Sequence, residues 1–406
     1  MIKSTKVTLK FSNTSKLKSI TDFIEEYHRV TSQFVDLLWP LDKVPSLLPK
    51  ELTSQISTWL SARAVQSAGK QASGVVRGTR QKQKQRIYVY EELLEKKKYK
   101  QARKLKKHID KAKISKPNIS RVEPELDERF VKQDWNNSTS FDGIITLSSL
   151  GNNLKIIIPV KKTKHFNKLL GRGKLKFGVR LSKRFITFNF EIEDPPKKEI
   201  GETHGLDIGI TNVFTMSNHC CSQKNKHGHD LDSITNILSR KQKGSKAFKK
   251  TQEHRDNYIN WAFNQIDFSN IKTLRVEDIK YLRFEKKTSR KLSHFTYTKI
   301  DEKISSLALD HGVLVEKVNP TYTSQRCSCC GWVRSKNRRG KEFRCVKCGF
   351  TCDADLNASF NILADLRPIG RSERLLHKNR KGFYWNEVGK EPIVPFAQKP
   401  DGNKIL

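Results

Sequence analysis

Apolar and polar residues alternate through KSTKVTLKF (residues 3–11), the period of two expected of a half-buried strand. From about Leu17 to Leu60 the pattern changes: Ile20, Ile24, Tyr27, Phe34 and Leu37 recur close to helical spacing, with a break at the Pro-containing WPLDKVPSLLPKE. LTSQISTWLSARAVQSAGKQASGVV reads as further helix. Its small residues Ala62, Ala64, Ala68 and Ala72 leave room for another element to approach the backbone closely. Helical patterning continues from Arg77 to Lys116, where 16 Lys or Arg stand against 4 acids.

After KPNISRVEP the period returns to two. GIITLSSLGNNLKIIIPV and KLKFGVRLSKRFITFNFEIE predict a hairpin-rich β unit with a turn at Gly151-Asn152-Asn153. This unit is expected to pack with the first strand, which makes the helical stretch an insertion between strands. EDPPKKEIGETHG reads as a linker. Beyond it lie a buried strand (HGLDIGITNVFTMS), a basic helical stretch with the apolar stripe Ile259, Ala262, Phe263 and Ile266, a strand (IKTLRVEDI), a helix closed near Gly312 and a strand (VLVEKV). Strand, helix, strand, helix, strand is α/β patterning.

Composition sharpens this picture. A chain of 406 residues with 36% hydrophobic composition builds two to four domains rather than a disordered polymer. Lys plus Arg is 79 against 42 acids, a formal net charge of +37. Such an excess is neutralised most readily by a long polyanion, which also releases condensed counterions, so nucleic acid is the expected partner. A charge run alone is often a solvated face. The chain-wide excess turns the one at Arg77–Lys116 towards a phosphate-tracking helix. A membrane-binding face would be an amphipathic stripe rather than charge spread along the chain, so no membrane partner is expected. With no apolar run fit for a signal peptide or a span, and cysteines in close pairs, a cytoplasmic protein that binds metal is expected.

Cys327-x-x-Cys330 and Cys345-x-x-Cys348 are separated by 14 residues, and each pair is followed directly by Gly. Four thiolates on two tight knuckles meet the tetrahedral preference of Zn²⁺, and the glycines allow the backbone to turn. A filled thiolate shell leaves no open position for water, so this Zn²⁺ is structural. Cys329 and Cys352 are surplus to it.

Three acids stand out. Asp207 lies in an apolar strand, Glu277 ends another, and Asp355 sits in the first turn of the helix ADLNASFNILADL. Singly, each has an ordinary reading as a salt bridge or a helix N-terminal charge. Together at strand ends they have the chemistry to hold two Mg²⁺ about 4 Å apart for phosphodiester cleavage.

GLDIGITN, LRVEDIK, NPTYTSQRCSCCG, FRCVKCG and CDADLNASFNI, in this order between Gly205 and about Asp365, resemble the transposon-encoded TnpB proteins and the compact type V CRISPR effectors. The resemblance implies a multidomain α+β protein. Its RNase H-like (RuvC) α/β nuclease domain carries an inserted zinc ribbon and follows a β-barrel wedge domain with an inserted helical recognition lobe. The implied boundaries are 1–15 and 117–197 for the wedge, 16–116 for the recognition lobe, 198–322 and 351–370 for the nuclease domain, 323–350 for the ribbon and 371–406 for a C-terminal tail. Asp207, Glu277 and Asp355 match the family's Mg²⁺-binding catalytic triad, Asn357 its Asn after the last Asp, and Arg344 a basic residue before the second knuckle. The ribbon, set beside the third carboxylate, is expected to gate it.

The implied activity is RNA-guided DNA cleavage by two Mg²⁺ ions. The implied partners are a guide RNA with its scaffold and a double-stranded DNA target marked by a short flanking motif, bound by a monomer or by a homodimer on one RNA, in the nucleoid-associated cytoplasm. Expected nucleic-acid contacts are Arg77, Arg80, Lys82, Lys84, Arg86, Lys104, Arg240, Lys241 and Arg344. The rivals are a repressor of the same fold that no longer cuts, which should lack one of the acids, a transposase or transposase accessory protein, whose strand transfer has no separate feature here, and an unguided nuclease, which would not need so large a basic N-terminal half.

His227, His229, Asp230 and Asp232 lie together in KHGHDLD, but Lys, Gly and Ser flank them and no strand frames them, so a polar loop is expected. No Walker-type loop or Gly-x-Ser-x-Gly elbow occurs. Phe383, Tyr384 and Trp385 are expected to pack back onto the domain rather than stack on nucleotides.

Overall fold

The computed structural model describes residues 1–386 except 98, 112–115, 121, 136–138, 279–293, 295 and 365. The chain divides into two compact units, Met1–Glu193 and Asp194–Leu406. The division falls at the start of the predicted linker.

In the first unit, β1 (Ile2–Thr8) is followed by α1 (Thr14–Leu38), α2 (Lys50–Thr53), α3 (Ala62–Glu95) and α4 (Tyr99–Lys111). Then come β2 (Glu125–Leu126), β3 (Val131–Asp134), β4 (Gly143–Leu147), β5 (Ile156–Val160), α5 (Lys164–Leu170), β6 (Gly173–Leu181) and β7 (Phe185–Ile192). β1 pairs antiparallel with β7, from Ile2 opposite Glu191 to Thr8 opposite Phe185, so the helices are an insertion between strands, as expected. Among the described residues the strands hydrogen-bond as two sheets, β1-β7-β6-β2 and β3-β4-β5. Side chains from both sheets and from α1 and α3 share one core, including Phe23, Phe34, Ile145, Ile158, Phe188 and Phe190.

Helix α1 starts at Asn13, whose side chain accepts from the Lys16 amide, and buries Ile20, Phe23, Ile24, Tyr27, Val30 and Phe34. The facing stripe of α3 is Ala64, Ala68, Ala72 and Val76, small enough for close packing. The predicted helix from residue 52 onward is broken: it leaves α2 after Thr53 and resumes as α3 at Ala62. Ser61 caps it, and Leu60 bridges to Gly151 of the predicted turn. That turn has to be glycine: φ is +134°, and an added Cβ would lie 2.2 Å from the Trp59 carbonyl. Beyond Val76 the buried side of α3 lapses until Leu93, where α4 packs back with Ala102 and Leu105.

The second unit contains β8 (Glu202–Asp207), β9 (Thr215–Met216), α6 (Leu231–Arg240), α7 (Lys246–Phe263), β10 (Ile271–Glu277), α8 (Tyr297–Asp310) and β11 (Leu314–Val318). Next are β12 (Trp332–Val333), β13 (Arg338–Arg339), β14 (Glu342–Arg344), β15 (Thr351–Asp353), α9 (Ala354–Leu363), α10 (Arg371–Lys378) and β16 (Phe383–Tyr384). The main sheet runs β11-β10-β8-β9, with β8, β10 and β11 parallel and β9 antiparallel. The predicted basic helical stretch is two helices, α6 and α7: the chain leaves α6 at Lys241 in an extended conformation, turns at Gly244 with φ of +89°, and enters α7 at the Ser245 cap. No helix among the described residues is long and apolar enough to cross a membrane.

Candidate active site

Asp207 is the last residue of β8 and Glu277 the last of β10. The two parallel strands are in register, with Leu206 opposite Val276, so both acids emerge side by side at the carboxyl edge of the sheet. Asp355 arrives from α9. Asp353 caps this helix by accepting from the amides of Asp355 and Leu356. Gly205 admits the helix onto β8: a Cβ there would stand 2.1 Å from the Ser359 carbonyl and 2.5 Å from the Leu363 nitrogen. Gly209 serves the turn after β8 instead: an added Cβ would stand 2.7 Å from the Asn212 carbonyl, while the Asp355 carboxylate lies at an ordinary contact distance of 3.8 Å.

The structure thus brings the three predicted carboxylates together. Asp207 is 9% exposed and Asp355 7%, and Glu277 is partly buried. Burial, then the charges of Glu277 and Asp355, raise the Asp207 carboxyl well above the usual carboxylate range, against the pull of Arg338. Burial also raises Glu277, opposed by a hydrogen bond from Thr323 and by Arg338. Burial, then the charges of Glu277 and Asp207, likewise raises the Tyr297 phenol.

Among the described residues Arg338 is the cation that reaches this cluster. Its Nη2 donates to Asp355 Oδ1 at 2.9 Å, and its Nε donates to the Gly340 carbonyl. It lies on β13 of the cysteine-bearing segment, which therefore reaches the third carboxylate. Sequence reading missed it: in KNRRGKE nothing distinguishes it from its basic neighbours. Arg344, singled out instead, lies exposed on β14. Thr323 was also missed as a site residue; its hydroxyl donates to Glu277 Oε1 at 2.5 Å. Among the described residues one guanidinium faces these three acids, and it cannot balance them when all are ionised. The remaining charge calls for divalent cations or protons.

The cysteine cluster lies beside this site. Cys327 Sγ and Cys348 Sγ are 3.7 Å apart, Cys330 Sγ and Cys345 Sγ 3.6 Å, and all four sulfurs lie within 4.8 Å of one another. Tetrahedral Zn–S bonds of about 2.3 Å place sulfurs about 3.8 Å apart, so the group fits Zn²⁺ as it stands. Both knuckles turn alike. Gly331 and Gly349 have φ of +76° and +77°, and their amides donate to the carbonyls of Cys327 and Cys345. Hydrogen bonds from Cys327 and Cys330 lower the Cys345 thiol to about 2, whereas those to Cys330 and Cys345 push Cys327 up: four crowded thiols cannot all ionise without a cation. Cys329 is exposed and Cys352 partly buried, both outside the group. Among the described residues these four thiols are the one set of three or more potential ligands with donor atoms that close; the carboxylates are set wider.

The expected nucleic-acid contacts divide by environment. Arg77 lines a cavity of about 880 Å³ in the first unit together with Lys70 and with two ion pairs, Arg129 with Asp127 and Arg180 with Glu125. Arg80 is engaged: it donates to the carbonyls of Trp39, Leu41 and Asp42 and lies over the Trp39 ring, which makes it a staple for the loop after α1. Lys82, Lys84 and Arg86 are exposed along α3, Lys104 is partly buried on α4, and Arg240 is exposed at the end of α6. Lys241 Nζ donates to Thr251 Oγ1.

Asp230 is the N-cap of α6 in a capping box with Ser233, the ordinary use of an acid in that loop. His229 packs 5.2 Å from His254 of α7, ring centre to ring centre. Phe383 and Trp385 are buried and β16 pairs with β12, so this aromatic run packs onto the ribbon.

Residues 297–362, from α8 through most of α9, match the family model described as Cas12f1-like, TNB domain. A CRISPR-associated endodeoxyribonuclease Cas12f1 of Sulfoacidibacillus thermotolerans is 35% identical over 136 residues, 33% of this chain and 31% of that protein. The TnpB-like protein aq_aa05 of Aquifex aeolicus is 39% identical over 79 residues, 19% of this chain and 26% of that one. The putative RNA-guided DNA endonuclease InsQ of Escherichia coli is 28% identical over 193 residues, 39% and 48% of the two chains. The chain therefore spans between about a quarter and a half of the length of these curated relatives. Over these stretches, and over the residues matched by the family model, the chain is similar to the TnpB proteins and to the compact type V effectors of the Cas12f1 kind.

Proposed function

We propose that this protein is an RNA-guided DNA endonuclease that cuts phosphodiester bonds at the site of Asp207, Glu277 and Asp355. The observation that carries the reading is the convergence of these three acids at one end of a parallel sheet, where burial and mutual repulsion hold Asp207 far from its ordinary ionisation. Such a cluster is costly for stability alone and useful for binding cations. The three carboxylates would hold two Mg²⁺ ions, which supply a nucleophilic water and stabilise the leaving oxygen. The chain's own residues orient that centre: Thr323 holds Glu277, and Arg338 holds Asp355. The cysteine cluster holds one structural Zn²⁺.

The partners in this reading are a guide RNA with its scaffold and a double-stranded DNA target, bound by a monomer or a homodimer on one RNA. The net charge of +37 supports it, and so do the RNA-guided and CRISPR-associated endonucleases among the relatives. The first unit supplies the wedge (1–15 and 117–197) and the recognition lobe (16–116), and the Lys70 and Arg77 side of its cavity suits the duplex carrying the flanking motif. The nuclease domain is 198–322 with 351–370, the ribbon 323–350, and the tail 371–406. The protein acts in the nucleoid-associated cytoplasm. All three acids are present, which favours cutting over a repressor of the same fold.

The test is to purify the protein with the RNA it carries, sequence that RNA, and assay cutting of a matching duplex in Mg²⁺. Asp207→Ala, and likewise Glu277→Ala, should lower cutting at least about a thousandfold with RNA binding unchanged. Cleavage by these variants at the wild-type rate would refute the assignment.

A further inference from the structure

We infer that Thr323 is a positioning residue for Glu277, and that the buried polar network joining it to the helix of Asp355 sets the spacing between the two carboxylates. The inference rests on the reading of this site as the centre of cleavage.

Thr323 lies between β11 and the first zinc knuckle, 2% exposed, and its hydroxyl donates to Glu277. The residue before it, Tyr322, has φ of +66°, a conformation that a bulky side chain seldom adopts. The Tyr322 ring is held against His377, at 4.2 Å between ring centres, and against Phe383. A backbone outlier kept by its surroundings beside reacting groups points to a purpose at the site. Here the turn aims the Thr323 hydroxyl at Glu277.

The carbonyl of Thr323 continues the chain of bonds. It accepts from Asn361 Nδ2 at 2.8 Å, and the same amide donates to the Arg326 carbonyl at 2.7 Å. Asn357, one turn earlier on α9, also donates to the Arg326 carbonyl and accepts from the Ser328 amide. The Arg326 side chain closes the network, with Nη1 donating to Asn361 Oδ1 and Nε to the Trp385 carbonyl, each at 2.6 Å. Arg326, Asn357 and Asn361 are each at most 5% exposed.

Apolar side chains would fill this volume without the cost of desolvating two amides and a guanidinium. What the polar set provides is a fixed geometry: Glu277 is tied to Thr323, Thr323 to Asn361, and Asn361 is on the same helix as Asp355. The separation matters because the carboxylates stand wider apart than a single-ion cluster, so their hold on cations depends on how far apart the two elements are kept.

The experiment compares the Mg²⁺ dependence of target cutting by the protein with its co-purified RNA in wild type, Thr323→Val, Thr323→Ser and Asp207→Ala. Thr323→Val keeps the shape and removes the donor. It should raise the Mg²⁺ concentration for half-maximal cutting at least fivefold, about 1 kcal/mol, with zinc content and RNA binding unchanged. Thr323→Ser should return to within about twofold of wild type, which a purely space-filling role would not produce. Asn361→Ala, which leaves the hydroxyl in place, should shift the midpoint in the same direction by a smaller factor. Asp207→Ala inactive with Thr323→Val at the wild-type midpoint would overturn the positioning role while leaving the site standing. Wild-type cutting by Asp207→Ala would overturn both.

Discussion

The cysteine cluster and the carboxylate cluster lie in the same unit and are built in opposite ways. The four thiols come from one short segment, Cys327 to Cys348, and close to within 4.8 Å through two tight turns. The three acids come from positions 207, 277 and 355, each on a different element, and meet through strand register and helix packing. A site closed by local turns stands or falls with its metal. A site assembled by a sheet depends on every contact that keeps its elements apart or together.

The strongest way to break this comparison is to remove a thiol. Cys345→Ser should reduce bound zinc from one ion per chain to none, unfold the ribbon and abolish cutting, because binding energy of a structural zinc is folding energy. Metal analysis with limited proteolysis reads both effects. Retained cutting without zinc would mean that the carboxylate site does not need the ribbon's Arg338.

Next in size is Gly205→Ala. The added carbon would stand 2.1 Å from the Ser359 carbonyl, so α9 has to shift and carry Asp355 with it. A loss of about 1–3 kcal/mol by denaturant unfolding is expected, with a cutting defect larger than the stability loss accounts for and zinc unaffected.

A smaller effect comes from the charge itself. Because the folded-state pKa of Asp207 is raised, its contribution to stability is fully present at pH below the ordinary carboxylate range and is lost as pH rises through the raised value. The metal-free protein should therefore lose stability as pH rises from that range, and Mg²⁺ should restore it. Asp207→Asn should flatten the dependence and raise Tm by a few degrees near neutrality, about what 1 kcal/mol yields in a unit of this size. A steeper dependence in the variant would place the buried charge elsewhere.

The smallest expected effects separate two neighbouring arginines in the first unit. Arg77→Ala should weaken nucleic-acid binding and reduce its salt slope by about one. Arg80→Ala should leave the slope unchanged and lower stability, because its guanidinium holds three carbonyls.

Much of this was legible in the sequence. The alternation in KSTKVTLKF found β1, and the composition of GIITLSSLGNNLKIIIPV found the hairpin of β4 and β5 with its turn. The apolar neighbours of Asp207 marked it as a buried acid. Other features were not. The start of α3 depends on Ser61 and on a bridge between Leu60 and Gly151, which no local pattern shows. Arg80 and Arg77 have the same charge and the same helix, and only the loop that reaches Arg80 tells them apart. Arg338 and Thr323 act through side chains that reach residues 17 and 46 positions away in the chain.

By itself the sequence determined the four-cysteine cluster, because two Cys-x-x-Cys-Gly turns encode their own ligand geometry within a few residues. It also determined the basic character that calls for a polyanion, because net charge is a sum and needs no fold. Only the tertiary structure decided which cation meets Asp355, which hydroxyl holds Glu277 and how Asp207 ionises. Those depend on strand register, on a helix admitted by a missing Cβ and on burial, all set by packing between residues far apart in the chain.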